Sequence, residues 1–411
     1  MTAIVLLGTG STRLMVTKHK FYWVILLIIF FKSFNAHANV IQYFTGISYS
    51  NPAALFQVKQ NEMILGGTGF HTDGRFQGSA LNFNSGQYDK GIAYSRTTSF
   101  LPYARIAGRL NKDVVFAVDV TQPFHSNLNW QNHSVTRFSA TQTYLTDVDV
   151  SPRASYSFNQ KWHIGAGLNF NFLNNNEANW ALPVSPDASA NLVNQTSGFG
   201  LGYNLGIYHV FNPQNFLSLT YYSSIKQHTR GTSTLQARTN TDLEFDFRMP
   251  ATTVVNYAHL FNKQWLASLQ LFYSEWSANQ FANFNNTSAP PPLNPNFSFK
   301  MHFRNSLALL GVLRHQYNDK FGLTLLGMID DGPERDKLRT LNFPADKQYF
   351  IGLSGEYRLQ KNMLVELLYG YGFSNTSMNN QVTINGETVP FTTGKVNIHA
   401  NIIDLKFKIQ V

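Results

Sequence analysis

The side chains of this chain that could do chemistry are charged groups, not nucleophiles. It has no cysteine, which excludes thiolate metal sites, disulfides and thiol catalysis. No Gly-x-Ser-x-Gly elbow, His-Glu-x-x-His pair or Gly-Lys-Ser/Thr loop occurs, so the common signatures of acyl transfer, zinc hydrolysis and nucleotide binding are missing. Asp330, Asp331, Glu334 and Asp336 supply oxygen ligands, but their spacing is not that of a calcium loop and Pro333 interrupts them. They read as an acidic loop tip, and no metal or cofactor is expected. What is left is the holding of an anion. Arg105, Arg109, Arg153, Arg248, Lys300, Arg304, Arg314 and Arg358 fall where a two-residue alternation turns them inward, beside Asp119, Asp147, Asp149, Glu244, Asp246, Glu356 and Glu366. Buried charges are normally paired, so most of these would brace a wall, and a remaining cation would face a carboxylate.

The elements that position such groups follow from composition. The chain has 411 residues, with 34 Phe, 19 Tyr and 6 Trp, yet only 13% are charged, about half the share usual in soluble domains. A helical membrane protein would need apolar runs of about 20 residues, and the one long run, Phe21 to Phe31, is too short. An aromatic-rich, charge-poor chain without spanning helices suits a membrane β-barrel. The net charge of +9 comes without a Lys/Arg stripe beyond residue 38, so no nucleic-acid partner is expected.

Lys18, His19 and Lys20 precede that apolar run, and Ala36-His37-Ala38 follows it. This is the order of a secretory signal. Residues 1–38 are therefore expected to be removed before Asn39, with Met15 the preferred start. That also disposes of Gly8-Thr9-Gly10-Ser11-Thr12 as a phosphate loop.

Beyond Asn39, alternating segments are joined by six short turns: Asn111-Lys112-Asp113, Asn159-Gln160-Lys161, Asn212 to Asn215, Asn262-Lys263-Gln264, Asn318-Asp319-Lys320 and Gln360-Lys361-Asn362. Seven long polar loops separate them, at about 72–99, 123–141, 173–197, 231–241, 277–297, 331–346 and 373–397. Six turns and seven loops require fourteen strands, and this asymmetry is that of an outer-membrane barrel with periplasmic short turns. The expected fold is all-β, a 14-stranded antiparallel transmembrane β-barrel over residues 61–411. Trp162, Ile164, Leu168 and Phe172 alternate with His163, Asn169 and Asn171, and Ile403, Leu405, Phe407, Ile409 and Val411 alternate with Asp404, Lys406, Lys408 and Gln410. A period of two places one set in lipid and the other in the lumen. Trp162, Phe211, Phe261, Trp265, Tyr317 and Phe321 sit beside the turns as an interfacial girdle.

Several stretches go beyond architecture. Gly46 to Leu55 contains Asn51-Pro52-Ala53. Further on stand Arg248-Met249-Pro250-Ala251, Glu275-Trp276-Ser277, Asn305 to Leu309, Asp330-Asp331-Gly332-Pro333 and Tyr349 to Leu353. In this order they resemble the FadL/TodX (OmpP1) family of outer-membrane transporters for long-chain fatty acids and hydrocarbons. The resemblance implies that residues 39–60 form an N-terminal hatch in the lumen, with Asn51, Pro52 and Ala53 within it. The residues alone are equally consistent with Asn51 capping a short helical turn. Only Asn39 to Ser50 precede the motif, fewer than the family's usual glycine-rich hatch, which implies a thinner plug. The resemblance also implies a side window at a kink in the third strand, at Thr121, Pro123 and Phe124, although Pro123 could simply end the strand. It ranks Arg248, Lys300 and Arg304 first as carboxylate partners. It makes the third loop, with Trp180, Leu182, Val184, Leu192 and Val193, an outer capture surface.

The expected function is uptake of long-chain fatty acids or similar hydrophobic compounds by passive, ligand-gated lateral diffusion, without enzymatic activity. The expected partners are that ligand and outer-membrane lipid, with the protein a monomer in the bacterial outer membrane. An open porin for small hydrophilic solutes, or a lipid-acting or surface-interaction barrel, is the alternative.

Overall fold

The computed structural model describes residues 46–410 other than 186, 187, 345 and 385. The expected signal segment, residues 39–45 and residue 411 lie outside the described residues. A short 3-10 turn, Pro52–Gln57, precedes a ring of about 14 strands. These are β1 (Glu62–Leu81), β2 (Tyr88–Arg109), β3 (Val114–Thr121 and His125–Asn129), β4 (Gln142–Ser157), β5 (Trp162–Ser185), β6 (Ala188–Asn212) and β7 (Asn215–Tyr222 and Ile225–Leu235). They continue as β8 (Arg238–Met249 and Thr252–Leu260), β9 (Trp265–Ser274 and Phe281–Asn285), β10 (Phe297–Lys300 and Ser306–Gln316), β11 (Phe321–Asp330), β12 (Gln348–Gln360), β13 (Met363–Ile384) and β14 (Glu387–Gln410). Each pairs antiparallel with its neighbours, and β14 pairs with β1, so the sheet closes as an antiparallel β-barrel.

The short turns stand where the sequence puts them, and five share one chemistry. The side-chain oxygens of Asn111, Asn159, Asn212, Asn262 and Asn318 each accept the backbone N–H two residues on, at 2.8–2.9 Å. Asn suits these positions because its short amide completes a turn that the backbone alone leaves open. From these turns upward the alternation holds. Trp162, Leu168, Ile403 and Leu405 are exposed on the outer wall, while His163, Asn169, Asn171 and Asp404 are buried inside. In lipid the exposed apolar row is favourable, whereas a cation at its midplane would cost about 2–4 kcal/mol.

The long loops are largely a misreading. Residues 72–99 are mostly β1 and β2, the described residues of 173–197 are β5 and β6, and those of 373–397 are nearly all β13 and β14, each pair continuing as a long hairpin. Above the lipid an outward position no longer needs an apolar side chain, so alternation loses its contrast there while the ladder continues.

The wall also changes phase. In the lower half of β8, Thr252, Val254 and Ala258 are buried inward, whereas in the upper half Phe247 and Met249 are. The break at Pro250 and Ala251 advances the chain by one residue, and a one-residue step turns every side chain to the other face. The same shift separates Ser218, Thr220 and Tyr222 from Ile225, Gln227 and Thr229 in β7. In β10 it separates Ser306, Ala308 and Leu310 from Phe297 and Phe299, which pack into a buried apolar cluster.

The closing seam has a polar clip. Thr68 in β1 donates to Asp404 in β14 at 2.6 Å, and Tyr103 in β2 donates to its other oxygen at 2.8 Å. Lys408 meets Glu62 at 2.7 Å and Lys406 meets Glu366 at 2.5 Å. Three strands are thereby tied at one carboxylate, with register Thr68↔Asp404.

Candidate functional site

Ser50 is the centre of a polar knot on the inward face of the wall. Arg105 in β2 donates to Ser50 Oγ at 2.8 Å, and Arg153 in β4 donates to Ser50 Oγ and to its carbonyl, both at 2.9 Å. Tyr222 in β7 donates to the same carbonyl at 2.6 Å. Asp119 in β3, fully buried, takes both guanidiniums: Arg105 as a fork at 2.6 and 2.7 Å, and Arg153 at 3.3 Å. A guanidinium–carboxylate fork such as that of Arg105 is among the stronger buried contacts, and removing one partner strands a charge.

Asn51 caps the turn that follows, accepting the N–H of Ala53 at 2.8 Å. Its amide group also reaches two wall carbonyls, Ile207 at 3.1 Å and Leu219 at 3.2 Å. The wall makes room with glycine. A Cβ on Gly206 would lie 2.0 Å from Asn51 Oδ1, and one on Gly165 would lie 2.3 Å from the Ala53 nitrogen. Pro52 and Ala53 are buried. Arg109 then holds the carbonyls of Phe56 and Val58 at 2.6 and 2.7 Å.

Beside the knot, β3 breaks. Thr121 pairs with Asp149 and His125 with Thr146, so three residues, Gln122 to Phe124, face two on β4. Pro123 has no N–H to give a ladder, and Asp147 supplies the substitute. Its Oδ1 accepts the Phe124 N–H at 2.8 Å and its own N–H reaches the Phe124 carbonyl at 3.3 Å. Asn171 bonds its second oxygen at 2.6 Å, and Gln227 bonds Asn171 at 2.6 Å. All three are fully buried.

The break leaves a seam. β2 and β3 pair from Arg109↔Val115 to Ala104↔Val120 and, among the described residues, no backbone pairing resumes above. Only side chains bridge there: Thr97 to the Asn127 carbonyl, Ser95 to the Asn129 N–H, and Asn127 to Ser99, at 2.7–3.1 Å. His125 sits at this seam with its ring 6.3 Å from Phe70 and 6.0 Å from Tyr144, and neither ring nitrogen has a partner among the described residues. A cavity of about 30 Å³ joins the two features, lined by Tyr49, Thr121, Pro123, Phe124, Asp149 and Arg153 among others.

Apolar side chains run from here to the outer end. Phe124 packs with Leu173, Ile225, Phe247, Met249, Trp276, Met301 and Phe303. Tyr49 touches this group and also a second one that includes Phe70, Leu101, Phe272 and Phe350. Phe245 and Ala282 connect it upward to Trp180, Leu182, Leu192, Leu243 and Phe284, with Val184 partly buried beside them.

These positions revise several expectations. Trp180, Leu182 and Leu192 are not an exposed loop surface: they are buried in a strand hairpin, with Val184 and Val193 at intermediate exposure. Arg248 and Lys300 do not face the lumen. They alternate with the buried Phe247 and Met249 and the partly buried Phe299 and so turn outward, because the breaks in β8 and β10 shift the phase. Arg304 is engaged by Asp331, donating to its carbonyl at 2.5 Å and lying 3.5 Å from its carboxylate. The cations that do converge are Arg105 and Arg153. Sequence alternation had both inward but could not rank them, since the partner that unites them, Ser50, lies in a segment without periodicity. Asp147 had no signal beyond its inward parity.

The family model for outer membrane protein transport proteins (OMPP1/FadL/TodX) matches residues 36–410. Among solved structures the chain is similar to a Pseudomonas aeruginosa FadL homologue, with a TM-score of 0.77 at 14% identity, covering 88% of this chain and 93% of that one. It is also similar to the P. putida toluene transporter TodX, with a TM-score of 0.65 at 14% identity and coverage of 88% and 93%. The Ralstonia pickettii toluene transporter TbuX gives 0.59 at 15%, covering 88% and 92%. No match is found among curated proteins. With nearly the whole chain matched by the family model and a closed antiparallel barrel beneath it, this is an outer-membrane protein that belongs to the OMPP1/FadL/TodX family of transport proteins.

Proposed function

We propose that this protein takes up long-chain fatty acids or similarly hydrophobic molecules, passively, and releases them sideways into the bilayer through the seam between β2 and β3. The observation that carries this reading is the continuous apolar interior from Trp180 to Phe124 and Tyr49, which ends beside the kinked joint of β2 and β3, whose backbone ladder stops at Ala104↔Val120 among the described residues. Each methylene transferred along such a path is favoured by about 0.8 kcal/mol over water, so no energy source is required. Residues 39–60 act as the hatch. Ser50 to Val58 is tied to the inner wall, which weighs against an open pore for hydrophilic solutes. A ligand displacing Tyr49 from Phe124 (ring centroids 6.5 Å apart) would act on the hatch and on the kink at once. Arg153, which lines the cavity at the kink, is the cation we assign to a carboxylate end.

The test is growth on oleate of a Gram-negative strain lacking its own fatty-acid channel, carrying the wild type, Pro123→Gly or an empty vector at equal surface levels. Rescue by the wild type and its loss in the variant support the reading. Folded wild-type protein that fails to rescue removes the fatty-acid assignment, and uptake of toluene, which the neighbours TodX and TbuX transport by their descriptions, becomes the next measurement.

A further inference from the structure

The phase shifts that turn Arg248 and Lys300 out of the lumen place them on the outer wall. Lys226 joins them, because β7 shifts too: Ile225 and Gln227 are buried inward and Lys226 is exposed. Lys226 and Arg248 are register partners across β7 and β8. Like charges directly opposite one another destabilise a sheet, and among the described residues no ion pair relieves them. Among the described residues neither side chain has a carboxylate partner; the Arg248 guanidinium reaches only Ser224 Oγ at 3.5 Å. Asn279 holds the Arg248 main chain from the other side, with its amide oxygen on the N–H at 3.1 Å and its amide nitrogen on the carbonyl at 2.7 Å. Shortly after it Phe281, 47% exposed, pairs with Lys300.

The rows above are built differently. His228 meets Asp246 at 3.0 Å, and Arg230 meets Glu244 at 3.3 Å. With Thr229, Asn283 and Asn285 they line an outer groove of about 300 Å³. Below the cations most outward positions are apolar: Leu219 in β7, Val255 and Tyr257 in β8, and Leu271 and Tyr273 in β9 are all exposed, with Thr253 and the exposed Glu275 the polar exceptions beside them. The uncompensated cations therefore stand just beyond the lipid-facing band, where acyl chains give way to headgroups.

We infer that Lys226, Arg248 and Lys300 bind the phosphate of an outer-leaflet glycolipid, whose sugar lies in the groove lined by Asp246, Asn283 and Asn285. A phosphate accepts a guanidinium fork and neutralises the facing ammonium, which turns the repulsive pair into a binding element. The carboxylates and amides of the groove are hydrogen-bond partners for hydroxyls, which a plain phospholipid largely lacks. This site is independent of the transport path, since it lies on the opposite face of the wall.

The experiment is native mass spectrometry of the whole mature protein released from detergent, with three probes: a diphosphorylated, acylated glucosamine disaccharide, its dephosphorylated form, and phosphatidylglycerol. The expected result is retention of the diphosphorylated glycolipid, at least about tenfold weaker for its dephosphorylated form, for phosphatidylglycerol and for the variant Lys226→Gln/Arg248→Gln/Lys300→Gln. Removal of outer charges elsewhere, Lys90→Gln/Lys395→Gln, leaves retention unchanged. Equal retention by the triple variant, or equal retention of the dephosphorylated lipid, overturns the site. Phosphatidylglycerol held as tightly as the glycolipid overturns the sugar assignment. Should the triple variant not fold, Arg248→Gln alone and the dephosphorylated probe decide the matter.

Discussion

Two joints of the same wall make opposite choices. β1 meets β14 in an unbroken ladder from Glu62↔Gln410 to Ala80↔Thr392, and β13 meets β14 nearly as continuously. β2 meets β3 over a short lower stretch, after which Ser95, Thr97, Ser99 and Asn127 replace the ladder. A backbone ladder resists opening because every rung must break together, whereas a few hydroxyl bonds, each worth about 1 kcal/mol net, can be exchanged one at a time. The lesson is that how firmly a barrel joint resists opening is set by what joins the two strands, without any change in strand count.

The contrast can be broken most severely at its root. Asp119→Leu leaves Arg105 and Arg153 buried without their shared carboxylate, and a loss of about 3–5 kcal/mol is expected. It would appear as a lower unfolding temperature in heat-modified electrophoretic mobility, with Asp119→Asn intermediate. Next comes Asp147→Ala, which deprives the Phe124 N–H of its acceptor at a cost of about 1–3 kcal/mol. Faster amide hydrogen exchange confined to the neighbourhood of Phe124, with the β13–β14 ladder unchanged, is the expected signature; a uniform increase would make Asp147 a general brace.

A cross-link probes the weak joint without unfolding anything. The chain has no cysteine, so Ser99→Cys with Asn127→Cys, whose native side chains bond at 3.1 Å, can staple the weak joint. Uptake of a fluorescent fatty acid should fall about tenfold, as when a gating motion is blocked, and return with reductant. Gly372→Cys with Ala400→Cys, where the two Cβ atoms would lie 3.8 Å apart, staples the strong joint and should change nothing.

The smallest effect concerns the connection between β11 and β12. Burial acts against ionisation of Asp336, but hydrogen bonds from Asn379 and Arg339 outweigh it and hold the carboxyl below the usual Asp range. A depressed value stabilises the folded form at pH above the ordinary Asp value of about 3.9, and that contribution is lost as the pH falls further, through the folded value. Because the Asp336 side chain is 59% exposed, the change stays below about 1 kcal/mol. Melting followed downward from pH 5 should show this increment being lost in the wild type and not in Asp336→Asn.

Much of this architecture was legible because the residues that encode it act locally. An Asn two or three residues before a strand closes a turn by itself, and a lipid-facing wall enforces its period of two. The candidate site was legible only in part. Pro123 announces a broken ladder, but Asp147, which replaces the lost bonds, looks like any inward acid. Arg248 and Lys300 were assigned to the wrong face because parity was counted through Pro250-Ala251 and through residues 301–305, where the chain takes an odd step that no composition signals. Trp180 and Leu192 resembled an exposed patch because their cover, Leu243 and Phe284, comes from strands far along the chain.

The clip at Asp404 bears on how the barrel is assembled. Thr68 and Asp404 are separated by 336 residues, so their strands are slow to find one another, and the joint is open to misalignment. A slip of one residue would turn Asp404, Lys406 and Lys408 toward lipid, at a cost per lysine that rises from about 0–1 kcal/mol near the rim toward about 2–4 at the midplane, and would forfeit the bonds from Thr68 and Tyr103. The closing joint is thus self-correcting: a wrong alignment is expelled by the membrane before it can be locked.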